Sequence, residues 1–99
     1  MHSYATPYNI VADAQPDLPV WCFRPERVTA AAKWFKEKFP GEPFYAVKAN
    51  PGEHVLEALW EAGVRSFDTA SLPEIELIHR KFPGARMAFL HPVKNRRAI

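Results

Sequence analysis

This sequence predicts an α/β fold with parallel strands, and three observations carry that prediction. Short apolar runs alternate with longer segments whose apolar residues recur at helical spacing. Ten prolines fall mostly at the boundaries between those segments. The runs begin roughly twenty to twenty-five residues apart, which leaves room for the helical crossover that joins parallel strands.

The elements follow in order. Residues 1 to 18 are polar and proline-marked, without a clear period, and read as an irregular arm. "PVWCF", Pro19 to Phe23, reads as a short strand, and Pro25 then suits a first helical turn. Val28, Ala31, Ala32, Phe35 and Phe39 form one apolar stripe, and Phe39-Pro40-Gly41 ends that helix. Phe44 to Ala49 is the next strand. Asn50 suits the cap of a helix opening at Pro51, with Glu53 three residues on as in a capping box. Val55, Leu56, Leu59 and Ala62 give this helix its buried face, and Gly63 its C′ residue. "VRSF" is a strand ending at Asp68. Ser71 and Glu74 form a second capping box, and Ile75, Ile78 and Phe82 carry the third helix to a Phe-Pro-Gly stop. "MAFLHP" is the following strand, and a helix begins near Asn95. The order is β-α-β-α-β-α-β, compatible with either a doubly wound sheet or a (βα)₈ barrel.

Composition narrows the function classes. At 99 residues and 47% hydrophobic the chain suits one small domain with an ample core. A net charge of +2, with Lys94, Arg96 and Arg97 the only basic cluster, is too weak an argument for nucleic acid. The single cysteine, Cys22, precludes an intrachain disulfide and suits a reducing compartment. The first nine residues lack the basic and apolar regions of a signal peptide, and no run spans a membrane. A cytoplasmic protein is the expectation. No Cys/His cluster has metal spacing, and no P-loop, GxGxxG or GxSxG occurs.

In parallel α/β folds chemistry sits where strands hand over to the following loops. Lys48, Asp68 and His91 lie there. Alternation puts Phe44, Ala46 and Lys48 on one side of their strand and Val64, Ser66 and Asp68 on one side of the next. Each charge then stands above a small residue, with room for a flat ligand. Each residue also has a plainer role: Lys48 as a snorkelling strand end, Asp68 as a cap or its ion-pair partner, His91 as a loop imidazole. His2, His54 and His79 lie on the arm or on helices and read as surface.

The spacing is more specific than the placement. "YAVKAN", four residues, "VL", two residues, Leu59, three residues and Gly63 resemble the lysine signature of the ornithine/diaminopimelate/arginine decarboxylase family. "FDTASLPEIELI" and "HPVK" are similar to the segments that follow it there, so the likeness runs from about Pro19 to the last residue. "FDTAS" followed by Glu74 looks like the ornithine branch, and "HPVKNRRAI" like bacterial enzymes acting on ornithine or lysine. Leu72-Pro73 stand where diaminopimelate decarboxylases carry paired glycines, and "PGEH" departs from the Tyr-Gly-His run of alanine racemases.

The resemblance implies the amino-terminal portion of a TIM-type (βα)₈ barrel of the alanine-racemase-like kind. Residues 1–24 would be an arm plus a strand of the family's β-rich domain, and residues 25–99 about three of the eight barrel strands. It implies pyridoxal 5′-phosphate as cofactor, Lys48 as its Schiff-base lysine and Asp68 as a group orienting the amine. Ala46, Glu74 and His91 would be further cofactor neighbours. A Schiff base needs a neutral amine, so a partly buried, apolar setting is expected around Lys48. The implied reaction is decarboxylation of a basic amino acid, ornithine to putrescine in polyamine synthesis, by a homodimer with no nucleic-acid or membrane partner and no metal. The alternatives are a lysine- or diaminopimelate-specific enzyme, an alanine-racemase-like one, or a non-catalytic short chain that binds a full-length relative. The family's phosphate loop and the acidic partner of the pyridine nitrogen have no counterpart in this sequence, so the chain is expected to be a fragment, inert on its own.

Overall fold

A computed structural model describes residues 2–99. Three parallel strands, β1 (Tyr45–Ala46), β2 (Ser66–Asp68) and β3 (Arg86–Ala88), form one sheet in the order β1-β2-β3. Helices α1 (Pro25–Lys38), α2 (Glu53–Glu61) and α3 (Leu72–Lys81) precede or join them. The α/β alternation and the parallel pairing agree with the sequence.

Register decides which residues share a face. Tyr45, Phe67 and Met87 are partners across the sheet, and so are Ala46, Asp68 and Ala88. Phe67 is fully buried among Val47, Leu56, Ile78 and Phe82, with Tyr45 and Met87 packed against that cluster. The first row therefore faces the helices. Successive side chains point to opposite faces, so Ala46, Asp68 and Ala88 face the other way.

An aromatic column ties the layers together. Trp60 of α2 stacks on Phe82 at 4.4 Å between ring centroids, and Phe82 stacks on Phe67 at 5.8 Å. Arg65 caps the column, its guanidinium 3.9 Å from the Trp60 centroid and its Nη1 donating to the Trp60 carbonyl at 2.6 Å. Lys81 of α3 reaches Glu57 of α2 at 2.6 Å, joining the two helices on the solvent side.

Four expectations are corrected. Pro19–Phe23 forms no strand: among the described residues no segment pairs with it, and Trp21 is 99% exposed. Aromatic and β-branched residues favour a strand only when a ladder is there to receive them. The helix after Lys48 opens at Glu53 with Gly52 at its N-cap, rather than at Pro51 with Asn50 as cap. The Asn50 side chain instead accepts from the Gly52 amide at 3.0 Å, a local turn bond that displaces the predicted capping box. The arm is not wholly irregular, because Thr6 and Asn9 bond reciprocally around one helical turn at Pro7–Asn9. Finally, the α1 stripe is present but only Ala32 is buried; Phe35 and Phe39 are each 50% exposed. Among the described residues no helix is long and apolar enough to cross a membrane.

Gly63 closes α2 at φ 99°, and an added Cβ would run into the Lys36 amine. At Gly84 an added Cβ would meet nothing within 4 Å. Gly63→Ala should therefore cost about 1–2 kcal/mol, the left-handed penalty of an L residue. Gly84→Ala should stay within about 0.5 kcal/mol. Chemical denaturation of the complete protein carrying each substitution checks this; equal midpoints would contradict it.

Candidate active site

The carboxyl ends of the strands carry the predicted residues, each placed by a different local device. β1 stops at Ala46, and Val47–Ala49 turn as a 3₁₀ segment. Val47 is fully buried, which pins this turn to the core. Lys48 rides on the turn and is exposed. Strand parity therefore ends two residues before the lysine, and the partly buried setting expected for its amine is not formed by these residues. The row Ala46, Asp68 and Ala88 beside it is half-buried rather than sealed.

Asp68 ends β2, half-buried, between Ala46 and Ala88 in neighbouring strands. Among the described residues its carboxylate takes part in no ion pair, so the simple Lys48–Asp68 pair is not formed. Nothing larger than a methyl stands beside it in the row. The strand end itself is fixed by the next residue. Buried Thr69 donates to the Ala88 carbonyl through its amide at 2.8 Å and through its hydroxyl at 2.9 Å. This clip continues the β2–β3 ladder past Asp68 and holds the approach to α3.

Ser71 caps α3, but the reciprocal half of the expected capping box, Glu74 to the Ser71 amide, is not formed among the described residues. Its hydroxyl donates to Glu74 Oε2 at 2.6 Å and accepts from the Glu74 amide at 3.4 Å. Glu74 Oε1 is buried with no hydrogen-bond partner among the described residues. A buried carboxylate oxygen left alone is costly, so this atom is an acceptor in want of a donor. His91 is held by its own loop: the Val93 amide lies 3.2 Å from Nδ1, and Lys94 Nζ donates to the His91 carbonyl at 2.8 Å.

The structure thus brings Ala46 and Asp68 into direct register and sets Glu74 at the start of the helix that follows. It leaves Lys48 solvent-facing on the adjoining turn and His91 occupied with its own backbone. Sequence reasoning missed three contributors. Ala88 enters only through register. Thr69 carried a signal, a hydroxyl directly after a strand-end aspartate. Tyr45 donates from its hydroxyl to the Asn50 carbonyl at 3.1 Å, and burial pushes its phenol above the ordinary tyrosine value. At the opposite end of the strands Glu42 accepts from Ser66 at 2.6 Å and pairs with Arg86, tying the β1 approach to β2 and β3.

These residues fit one end of a flat aldehyde cofactor. An accessible amine, a carboxylate in register with the residue two before it, two alanines beside that carboxylate and a lone buried acceptor are what such a group needs. The comparisons with known proteins name such a cofactor. The sequence profile described as "Pyridoxal-dependent decarboxylase, pyridoxal binding domain" matches residues 25–99. A lysine/ornithine decarboxylase of Selenomonas ruminantium is 43% identical over 58 residues, 57% of this chain and 14% of that protein. An ornithine decarboxylase of Saccharomyces cerevisiae is 42% identical over 62 residues, 62% of this chain and 13% of that protein. The chain thus spans a small part of the length of these curated relatives. No solved structure gives a significant match. By the match over residues 25–99, which are those of the pyridoxal-binding domain, the chain belongs to the pyridoxal-dependent decarboxylases and shares their cofactor, pyridoxal phosphate.

Proposed function

We propose that these residues are the amino-terminal part of a decarboxylase of basic amino acids, ornithine foremost, in which Lys48 is the point of cofactor attachment. The observation that carries this reading is the pairing of the family match with the local geometry. Lys48, the lysine of the "YAVKAN" motif, stands two residues past Ala46, the register partner of Asp68. The names of two relatives, each a decarboxylase of ornithine, support the substrate.

Bound pyridoxal phosphate supplies an electron sink for the pair released as carbon dioxide departs. The chain's own residues do the rest. Lys48 offers the amine that holds the cofactor covalently and yields to the substrate amine. Asp68, facing the same side as Ala46, orients that amine. Ala46 and Ala88 leave the face open to a planar ring. Glu74 Oε1 accepts a hydrogen bond from a donor that arrives with the ligand, while Oε2 stays with Ser71.

We further propose a TIM-type barrel of which these are the first three strands, in a homodimeric cytoplasmic enzyme of putrescine synthesis. Its remaining strands would cover the face now open, exclude water from Lys48 and supply the phosphate site. The dimensions support this: a radius of gyration of 16.3 Å exceeds the ~13 Å of a compact domain of this length. Both β1 and β3 are sheet edges, and parallel sheets ordinarily have both faces covered.

Two predictions test the reading. In the complete protein, borohydride trapping followed by peptide mapping should place the label on Lys48, and Lys48→Ala should abolish turnover. Asp68→Ala should lower it roughly tenfold to a hundredfold, as misplacement of a reacting group does. A label on another lysine, or a fully active Lys48→Ala enzyme, would contradict the assignment. Expressed alone, residues 1–99 should show no cooperative thermal transition and release no carbon dioxide from ornithine or lysine. A sharp transition with turnover would mean that the chain is an enzyme in its own right. Binding of the short chain to a full-length relative, without turnover, would support the regulatory alternative.

A further inference from the structure

We infer that Tyr45 is a positioning residue for Lys48: its hydroxyl closes the turn on which the lysine rides. The inference rests on the reading of Lys48 as the cofactor's attachment point. A three-residue 3₁₀ segment has few internal hydrogen bonds and poor geometry for them, so its shape depends on what holds its ends. Val47 holds one end through complete burial. The Tyr45 hydroxyl holds the other, reaching across the turn to the Asn50 carbonyl at 3.1 Å.

Beyond Asn50 the same path continues. The Asn50 side chain accepts from the Gly52 amide at 3.0 Å, and the Gly52 carbonyl accepts from the amides of Val55 and Leu56 at 3.0 and 3.1 Å. The turn is thus strung between the Tyr45 ring and the first turn of α2. Lys48 makes no side-chain hydrogen bond or ion pair among the described residues, so its backbone alone decides where the amine can reach.

The other end of the clamp is equally fixed. The Tyr45 ring meets Phe67 edge to face, with centroids 6.5 Å apart, and Tyr45 packs against the core. Phe67 is also the residue whose burial turns Asp68 to the opposite face. Lysine turn and aspartate are therefore referenced to one buried ring. Because burial disfavours the phenolate, the hydroxyl remains a donor through the neutral range.

Tyr45→Phe keeps the ring and removes only the bond. In the complete protein it should speed hydrogen exchange at Val47–Asn50 and weaken pyridoxal phosphate binding, read by absorbance titration, about three- to tenfold. Lys81→Met is the control. It loses the hydrogen bond to Glu57 at 2.6 Å on the solvent side of α2 and α3. It should leave cofactor affinity unchanged while lowering the melting temperature by a similar amount. An effect of Tyr45→Phe smaller than about threefold, or an equal effect from Lys81→Met, overturns the role. Trapping on a different lysine in the unsubstituted protein overturns the reading of Lys48 and this role with it. Trapping on Lys48 with unchanged affinity in Tyr45→Phe overturns the role alone.

Discussion

The burial of Phe67 is the constraint on which the rest of this structure depends. A strand must turn alternate side chains to opposite faces, so sealing Phe67 beneath α2 and α3 leaves Asp68 only the open face. Parallel register then aligns Ala46 and Ala88 with Asp68, because Tyr45 and Met87 align with Phe67. The candidate site is the reverse side of the core. Fully burying an aromatic side chain contributes about 1.5–3 kcal/mol, and the same alternation leaves the aspartate partly in water, where a carboxylate is well solvated. Packing and the placement of the Asp68 carboxylate are thus one choice, made once.

Local polar bonds then convert that placement into a defined edge. Thr69 extends the β2–β3 ladder by one residue, Ser71 caps α3 and holds Glu74, and Tyr45 spans the lysine turn. Each bond is worth on the order of 1 kcal/mol, enough to favour one loop shape over its neighbours. The two carboxylates come out different. Asp68 is open and free to meet a cation, whereas Glu74 has one oxygen committed to Ser71 and the other buried alone.

Much of this was legible in the residues, and the failures have a common cause. The three helices, the stops at Phe-Pro-Gly, the left-handed Gly63 and the Ser71 cap follow from local rules, and all are present. The family and cofactor expected from the "YAVKAN" spacing are those found. What failed needs a partner outside the local stretch. "PVWCF" has strand composition but no ladder, and Lys48 was expected to be partly buried on a strand that in fact gives way to a 3₁₀ turn. The α1 stripe was legible as a stripe, yet Phe35 and Phe39 stay half-exposed. Register, which brings in Ala88, cannot be read from one strand at a time.

The central claim is that the row Ala46, Asp68 and Ala88, with the Lys48 turn beside it, is where the cofactor binds. An experimental structure of the complete protein with pyridoxal phosphate tests it most directly. It should show continuous density from the Lys48 amine to the cofactor, the ring against the open face beside Ala46, and Asp68 directed at the linking nitrogen. A cofactor joined to another lysine, or seated away from that row, would contradict the account.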